Sequence, residues 1–139
     1  MRILIVDDDL VSRKKMEVIL KYFGSIDSAD GGTAAVKAFR KAWEEWKPFD
    51  LITLDISMPD MSGSQALKMI RVIEREKGVE REKQVKVMMV TGMADRETVI
   101  DCKMDGCDDY VVKPFNKETV TAKLSGMGFF SRPGEVSGP

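Results

Sequence analysis

Acidic, hydroxyl and ammonium side chains stand directly after the short apolar runs of this chain. Ile3-Leu4-Ile5-Val6 leads into Asp7-Asp8, and Leu51-Ile52-Thr53-Leu54 into Asp55. Val87-Met88-Met89-Val90 leads into Thr91, and Tyr110-Val111-Val112 into Lys113-Pro114. Runs of this kind read as strands buried on both faces, and open parallel sheets place their chemistry beyond the strands' C-terminal ends. One sheet edge would then collect carboxylates, a hydroxyl and an ammonium. Carboxylates gathered in one place repel one another unless a cation binds. Mg²⁺ takes an octahedral shell of oxygens and often bridges to phosphate. A carboxylate can also accept a phosphoryl group covalently. Transfer requires the phosphoryl oxygens to be neutralised, for which Lys113 offers a charge and Thr91 a hydroxyl donor. Asp7, Asp8, Asp55, Thr91 and Lys113 therefore suit Mg²⁺-dependent phosphoryl chemistry.

Alternating strand and helix patterns must position these groups, which points to βα units on a parallel sheet. Met16, Ile19, Leu20 and Phe23 recur at the spacing of one helix face, with Gly24 as the expected stop. Asp9 is expected to cap this first helix. A weak strand is expected at 25–29. Asp30 is expected to cap the next helix, whose buried stripe would be Ala35, Ala38, Phe39, Ala42 and Trp46, with Pro48 beyond its end. Trp43 and Trp46 read as packing residues. The loop from Ile56 to Gly63 leads to a helix with Ala66, Leu67, Ile70 and Ile73 inward. The charges from Glu74 to Lys83 read as a solvated helix end and loop. A strand at 85–90, a helix at about 95–105 closed by Gly106, a strand at 110–112 and a helix from near Asn116 complete the pattern. Residues 1–126 are expected to form the folded domain and 127–139 a flexible tail, although Phe129-Phe130 could fold back onto the body.

The chain has 139 residues, enough for one well-formed core. Its 22 Lys and Arg nearly balance its 23 Asp and Glu. Bulk charge therefore gives no attraction to nucleic acid or membrane. No apolar run approaches the ~20 residues of a membrane span, and the N-terminus does not read as a signal peptide. A cytoplasmic protein with no nucleic-acid or membrane partner is expected. Cys102 and Cys107 lack metal-ligand spacing and read as reduced, space-filling residues. The absence of histidine excludes a histidine triad, a histidine zinc site and a phosphoacceptor histidine within the chain.

Val6-Asp7-Asp8, Asp55-Ile56-Ser57-Met58-Pro59 with Gly63, Val90-Thr91-Gly92, and the run from Gly106 to Phe115 together resemble the receiver domain of two-component response regulators, of the chemotaxis type. The resemblance covers about residues 2–125. It implies a flavodoxin-like α/β fold, a (βα)5 three-layer sandwich with parallel strands in order 2-1-3-4-5. It implies Asp55 as phosphoacceptor, Asp8 as direct Mg²⁺ ligand, Asp7 acting mainly through water, and the Ser57 backbone carbonyl as a further ligand. Thr91 would be the switch hydroxyl, Lys113 the phosphate-binding lysine and Tyr110 the aromatic that changes rotamer. The Lys113-Pro114 bond would be cis. Ser57 and Met93 replace an asparagine and a glutamate of well-known members. They flank the path of the hydrolytic water, so the aspartyl-phosphate lifetime is open.

The implied function is signal relay. A histidine kinase or histidine phosphotransfer protein would supply the phosphoryl group, and a downstream protein target would read the face of helix 4, strand 5 and helix 5. The domain would catalyse only its own phosphorylation and dephosphorylation, as a monomer or a weak phosphorylation-dependent dimer. Too few residues follow the last helix for an output domain, unless the chain is a fragment. Two alternatives are a haloacid dehalogenase-type phosphatase, with Asp7 as nucleophile in Asp7-Asp8-Asp9-Leu10-Val11, and a pseudo-receiver that works without phosphorylation. Against the phosphatase, Asp108-Asp109 precede Lys113, the reverse of that family's order. Against the pseudo-receiver, no acid, threonine or lysine of the set is missing.

Overall fold

A computed structural model describes residues 1–92 and 96–131, the side chain of Arg96 excepted. Its strands are β1 (Arg2–Val6), β2 (Ser25–Ala29), β3 (Leu51–Asp55), β4 (Lys86–Thr91) and β5 (Asp109–Val112). All pair in parallel, in the order β2-β1-β3-β4-β5. The helices are α1 (Leu10–Leu20), α2 (Gly32–Glu44), α3 (Gly63–Glu76), α4 (Arg96–Met104) and α5 (Lys117–Gly126). The flavodoxin-like architecture is the one expected, and the weak strand at 25–29 is real.

Alternate strand residues face opposite sides, which explains the unbroken apolar runs. Leu4, Val6, Ile52 and Leu54 pack with α2, α3 and Cys102 of α4. Ile3, Ile5, Leu51 and Val90 pack with Met16, Ile19 and Leu20 of α1 and with Val120 and Leu124 of α5. Each large aliphatic side chain buried this way contributes roughly 1.5–3 kcal/mol. The sheet is thus the middle of three layers, and its C-terminal edge stays open between helix starts. Register places Val6 beside Leu54, Asp55 beside Val90, and Thr91 beside Val112. The groups that follow these residues emerge together.

Several local expectations need correction. Trp46 is 85% exposed, because the chain turns at a left-handed φ of 58° and leaves the helix axis before the stripe reaches it. Val36 occupies the inward face instead, while Ala38 and Trp43 are half-buried against the same cluster. The helix-capping role expected of Asp30 is absent. The N-cap of α2 is Gly31, and the N–H groups of Gly32 and Thr33 donate to the distant Asp60 carboxylate at 3.3 and 3.0 Å. α1 ends at Leu20, before Gly24. Gly24 serves a different purpose, since a side chain there would strike the carbonyl of Met1.

Glu74 is not part of a solvated run. It is wholly buried, accepting from the Val85 N–H at 2.7 Å and from Arg71 Nη1 at 2.7 Å. Arg71 also reaches the Gly106 carbonyl and Asp108, so one ion pair joins α3 to the starts of β4 and β5.

Asp9 does cap α1, accepting from the N–H of Val11 and Ser12 and from the Ser12 hydroxyl. These bonds, the Ser12 hydroxyl foremost, hold its carboxyl below the usual range. α4 closes through Gly106 at φ 99°, with Gly106 N donating to Lys103 O and Cys107 N to Cys102 O, both at 3.1 Å. Cys102 and Cys107 are free thiols at the apolar contact that accompanies such a helix end. Burial, then the Cys102 charge, push the Cys107 thiol up to about 12. Phe129 folds back onto the α1–α5 side, while Phe130 is exposed. Met93 and residues 132–139 of the expected tail lie outside the described residues.

Candidate functional site

Asp7 directly follows β1 and Asp55 ends β3, both buried, while Asp8 is exposed at the mouth between them. One carboxylate oxygen from each of the three lies within 4.8 Å of the others. Lys113, just after β5, places Nζ 3.1 Å from Asp7 Oδ2 and 3.7 Å from Asp55 Oδ2. Thr91, 5% exposed, ends β4, and its carbonyl accepts from the Lys113 N–H at 2.7 Å. Five sequence positions spread over more than a hundred residues thus meet at one edge. The Lys113-Pro114 peptide is cis. Tyr110 sits mid-strand on β5, half-buried, with Lys123 Nζ 4.9 Å above its ring.

The electrostatics follow from this crowding. Burial, then the charge of Asp7, raise the Asp55 pKa from 3.8 to about 7, against the pull of Lys113; a hydrogen bond with Asp8 adds to the rise. At neutral pH this carboxyl is poised between its two forms. Burial works against the Lys113 charge. Its hydrogen bond to Asp7 and the charges of Asp55, Asp7 and Asp9 together outweigh that and raise its pKa. A site with excess negative charge, hard oxygen donors and an exposed mouth fits a small hard divalent cation.

Backbone contacts hold the frame. The Asp9 N–H donates to Asp7 Oδ1 at 2.9 Å, and the Ser57 N–H to Asp55 Oδ1 at 3.3 Å. Ile56 N donates to Val90 O at 3.0 Å, tying the segment after Asp55 to β4. Gly63 opens α3 directly against Asp55, where any Cβ would collide with the Asp55 carbonyl. That close approach is why the loop after Asp55 ends in glycine.

Two participants escaped sequence reasoning. Arg13 on α1 donates from Nη1 to the Asp7 carbonyl at 2.7 Å, and only its place one turn after Asp9 hints at this. Asp60 caps α2, for which the lone hint is a Gly31-Gly32 helix start with no capping side chain of its own.

Phosphoryl-accepting signalling domains share this arrangement of fold and acidic edge. The family model for the response regulator receiver domain matches residues 3–125, and the chain belongs to that family. The chemotaxis protein CheY of Bacillus subtilis is 36% identical over 126 residues, covering 89% of this chain and 94% of that protein. Among solved structures, the CheX–CheY–BeF3–Mg complex of Borrelia burgdorferi superposes with a TM-score of 0.80 at 27% identity, covering 92% of this chain and 89% of that one. The complex of the Saccharomyces cerevisiae phosphotransfer protein Ypd1 with the Ssk1 receiver domain gives 0.78 at 27% identity, covering 90% and 86%. The chain is therefore a receiver domain of the chemotaxis type. No helix among the described residues is long and apolar enough to cross a membrane.

Proposed function

We propose that the chain acts in the cytoplasm and relays a signal by accepting a phosphoryl group on Asp55 from a histidine kinase or phosphotransfer protein, with Mg²⁺ as cofactor. The three carboxylates within 4.8 Å of one another, with Lys113 Nζ beside two of them, carry this reading. Asp8, Asp55 and the Ser57 carbonyl would hold the ion directly and Asp7 through water. When bound, Mg²⁺ neutralises part of the phosphoryl charge. An Asp55 oxygen attacks phosphorus, the bond to the donor's histidine nitrogen breaks, and the product is an acyl phosphate. Lys113 pairs with one phosphoryl oxygen and the Thr91 hydroxyl donates to another. The Borrelia structure, with BeF3 and Mg in its complex, supports this use of the site.

A donor has apolar surface to meet beside the acidic mouth. Leu10 and Val11, at the start of α1, are 55% and 75% exposed. The yeast complex supports a phosphotransfer partner for this class. On phosphorylation Thr91 moves toward the phosphoryl group and Tyr110 turns into the space vacated. A downstream target then reads α4, β5 and α5, where a cavity of about 350 Å³ lies between Tyr110, Pro114, Thr119 and Lys123. Residues 1–126 act as the receiver unit, catalysing only their own phosphorylation and dephosphorylation.

The phosphatase alternative would need Asp7 as nucleophile and an acidic pair near it. Asp108 instead binds the Val87 N–H at the opposite edge of the sheet, and Asp109 pairs with Lys123. Acetyl phosphate with Mg²⁺ should add one phosphoryl group that Asp55→Asn removes. Mass spectrometry that places it on Asp7 would favour the phosphatase, and no incorporation would favour a pseudo-receiver.

A further inference from the structure

We infer that Asp60 is a positioning residue for the phosphorylation site: it moors the loop after Asp55 to α2 and so holds the Ser57 carbonyl in place. The inference rests, for its effect on Mg²⁺, on the reading of Ser57 as a ligand.

α2 begins without a cap of its own. Gly31 is extended at its N-cap and offers no side chain. The first free N–H groups, of Gly32 and Thr33, donate to the two oxygens of Asp60, 28 and 27 residues away. A carboxylate there also meets the positive end of the helix. These bonds, that of the Thr33 N–H foremost, keep the Asp60 carboxyl below its usual range.

The helix start is built to receive the loop. A Cβ on Gly31 would lie 2.8 Å from Asp60 Oδ1, and one on Gly32 would lie 2.8 Å from the Cβ and carbonyl oxygen of Met61. Both glycines thus permit a close approach that other residues would block. The loop's other end is tied by Ile56 N to Val90 O and by Gly63 N to Ile56 O. Only Ser57, Met58 and Pro59 lie between Ile56 and Asp60, and Met58 is buried in the core. The Ser57 backbone is therefore pinned from both sides. Such supporting contacts typically alter metal affinity by about 10–100-fold when lost.

The experiment uses the full chain with Asp60→Ala, Asp60→Asn and, as a control destabilised elsewhere, Ile73→Val. Hydrogen exchange at residues 56–62 reads the mooring, and amide NMR titration with Mg²⁺ reads the metal. Asp60→Ala should raise the Mg²⁺ Kd about tenfold. It should lower phosphorylation by acetyl phosphate at limiting Mg²⁺, with recovery at saturating Mg²⁺. Exchange at 56–62 should quicken in parallel. Asn, which keeps only one of the two acceptor oxygens and no charge, should restore part of both, and Ile73→Val should change neither. A Kd for Asp60→Ala within twofold of wild type overturns the inference if wild type is itself phosphorylated. Unchanged exchange at 56–62 overturns the mooring whatever the metal does. If wild type neither binds Mg²⁺ nor accepts a phosphoryl group, the reading of the site fails and the metal consequence falls with it. Gly31→Ala, which drives a Cβ against Asp60, should reproduce the loss and covers the case in which Asp60→Ala does not fold.

Discussion

Asp55→Asn should stabilise the metal-free protein at pH 8 by about 2 kcal/mol. The Asp55 carboxyl titrates at about 7 in the fold, against an ordinary value of 3.8, because burial and then Asp7 disfavour its charge. A carboxyl raised in this way binds its proton more tightly in the folded than in the unfolded chain. Its contribution to stability is therefore greatest below 3.8, declines as pH rises to about 7, and stays low above that. The full difference is on the order of 4 kcal/mol. Water at the open mouth screens part of it, and about half is expected to be measurable. The pull of Lys113 at 3.7 Å is already contained in the raised value. Asparagine keeps the shape of the protonated acid and has no proton to lose. Thermal and urea unfolding in chelator should show the variant about 6–10 °C above wild type at pH 8. The two should converge near pH 3. Mg²⁺ should then stabilise wild type more than the variant, since it binds the folded carboxylate cluster. Equal or lower stability of Asp55→Asn at pH 8 without metal would refute the account of burial and like-charge crowding at Asp55.

Asp8→Ala should abolish Mg²⁺ binding and phosphorylation while leaving circular dichroism and cooperative unfolding intact, since it removes an exposed charge from a repulsive cluster; undiminished Mg²⁺-dependent phosphorylation would sink its assignment. Thr91→Ala should accept the phosphoryl group but lose at least half of the amide shifts that wild type shows over residues 96–125 on phosphorylation, as measured by NMR; the same shifts as wild type would disprove the coupling to Tyr110. Lys113→Ala should change the phosphoryl lifetime more than its rate of formation, as followed by mass spectrometry over time, because a bound metal still neutralises part of the charge. Glu74→Ala should cost roughly 1–3 kcal/mol in urea unfolding, since it leaves the buried Val85 N–H unsatisfied while Arg71 keeps Asp108 as a partner.

Chemistry at strand ends was legible because period and burial are local properties. Ile3 to Val6 read as a strand buried on both faces, and parallel pairing then sends Asp7, Asp55, Thr91 and Lys113 to one edge. The first-helix cap at Asp9 was legible for the same reason, its partners Val11 and Ser12 lying within one turn. Glu74 was half-legible. It continues the inward spacing of Leu67 and Ile70, yet its charge argued for solvent until Val85 and Arg71 supplied partners. Trp46 followed the helical period, but a left-handed turn ended the helix and cast its ring outward. Asp60 and Arg13 gave still less sign of their roles. What a carboxylate or guanidinium binds depends on which backbone groups the fold leaves unpaired nearby, and those lie on other elements. The residue types and their order thus determined the class of chemistry. Only tertiary packing set the distances, the raised Asp55 pKa and the cap that joins the loop after Asp55 to α2. Hydrogen bonds and charge interactions act over a few ångströms in space, and sequence separation carries no information about them until the sheet has formed.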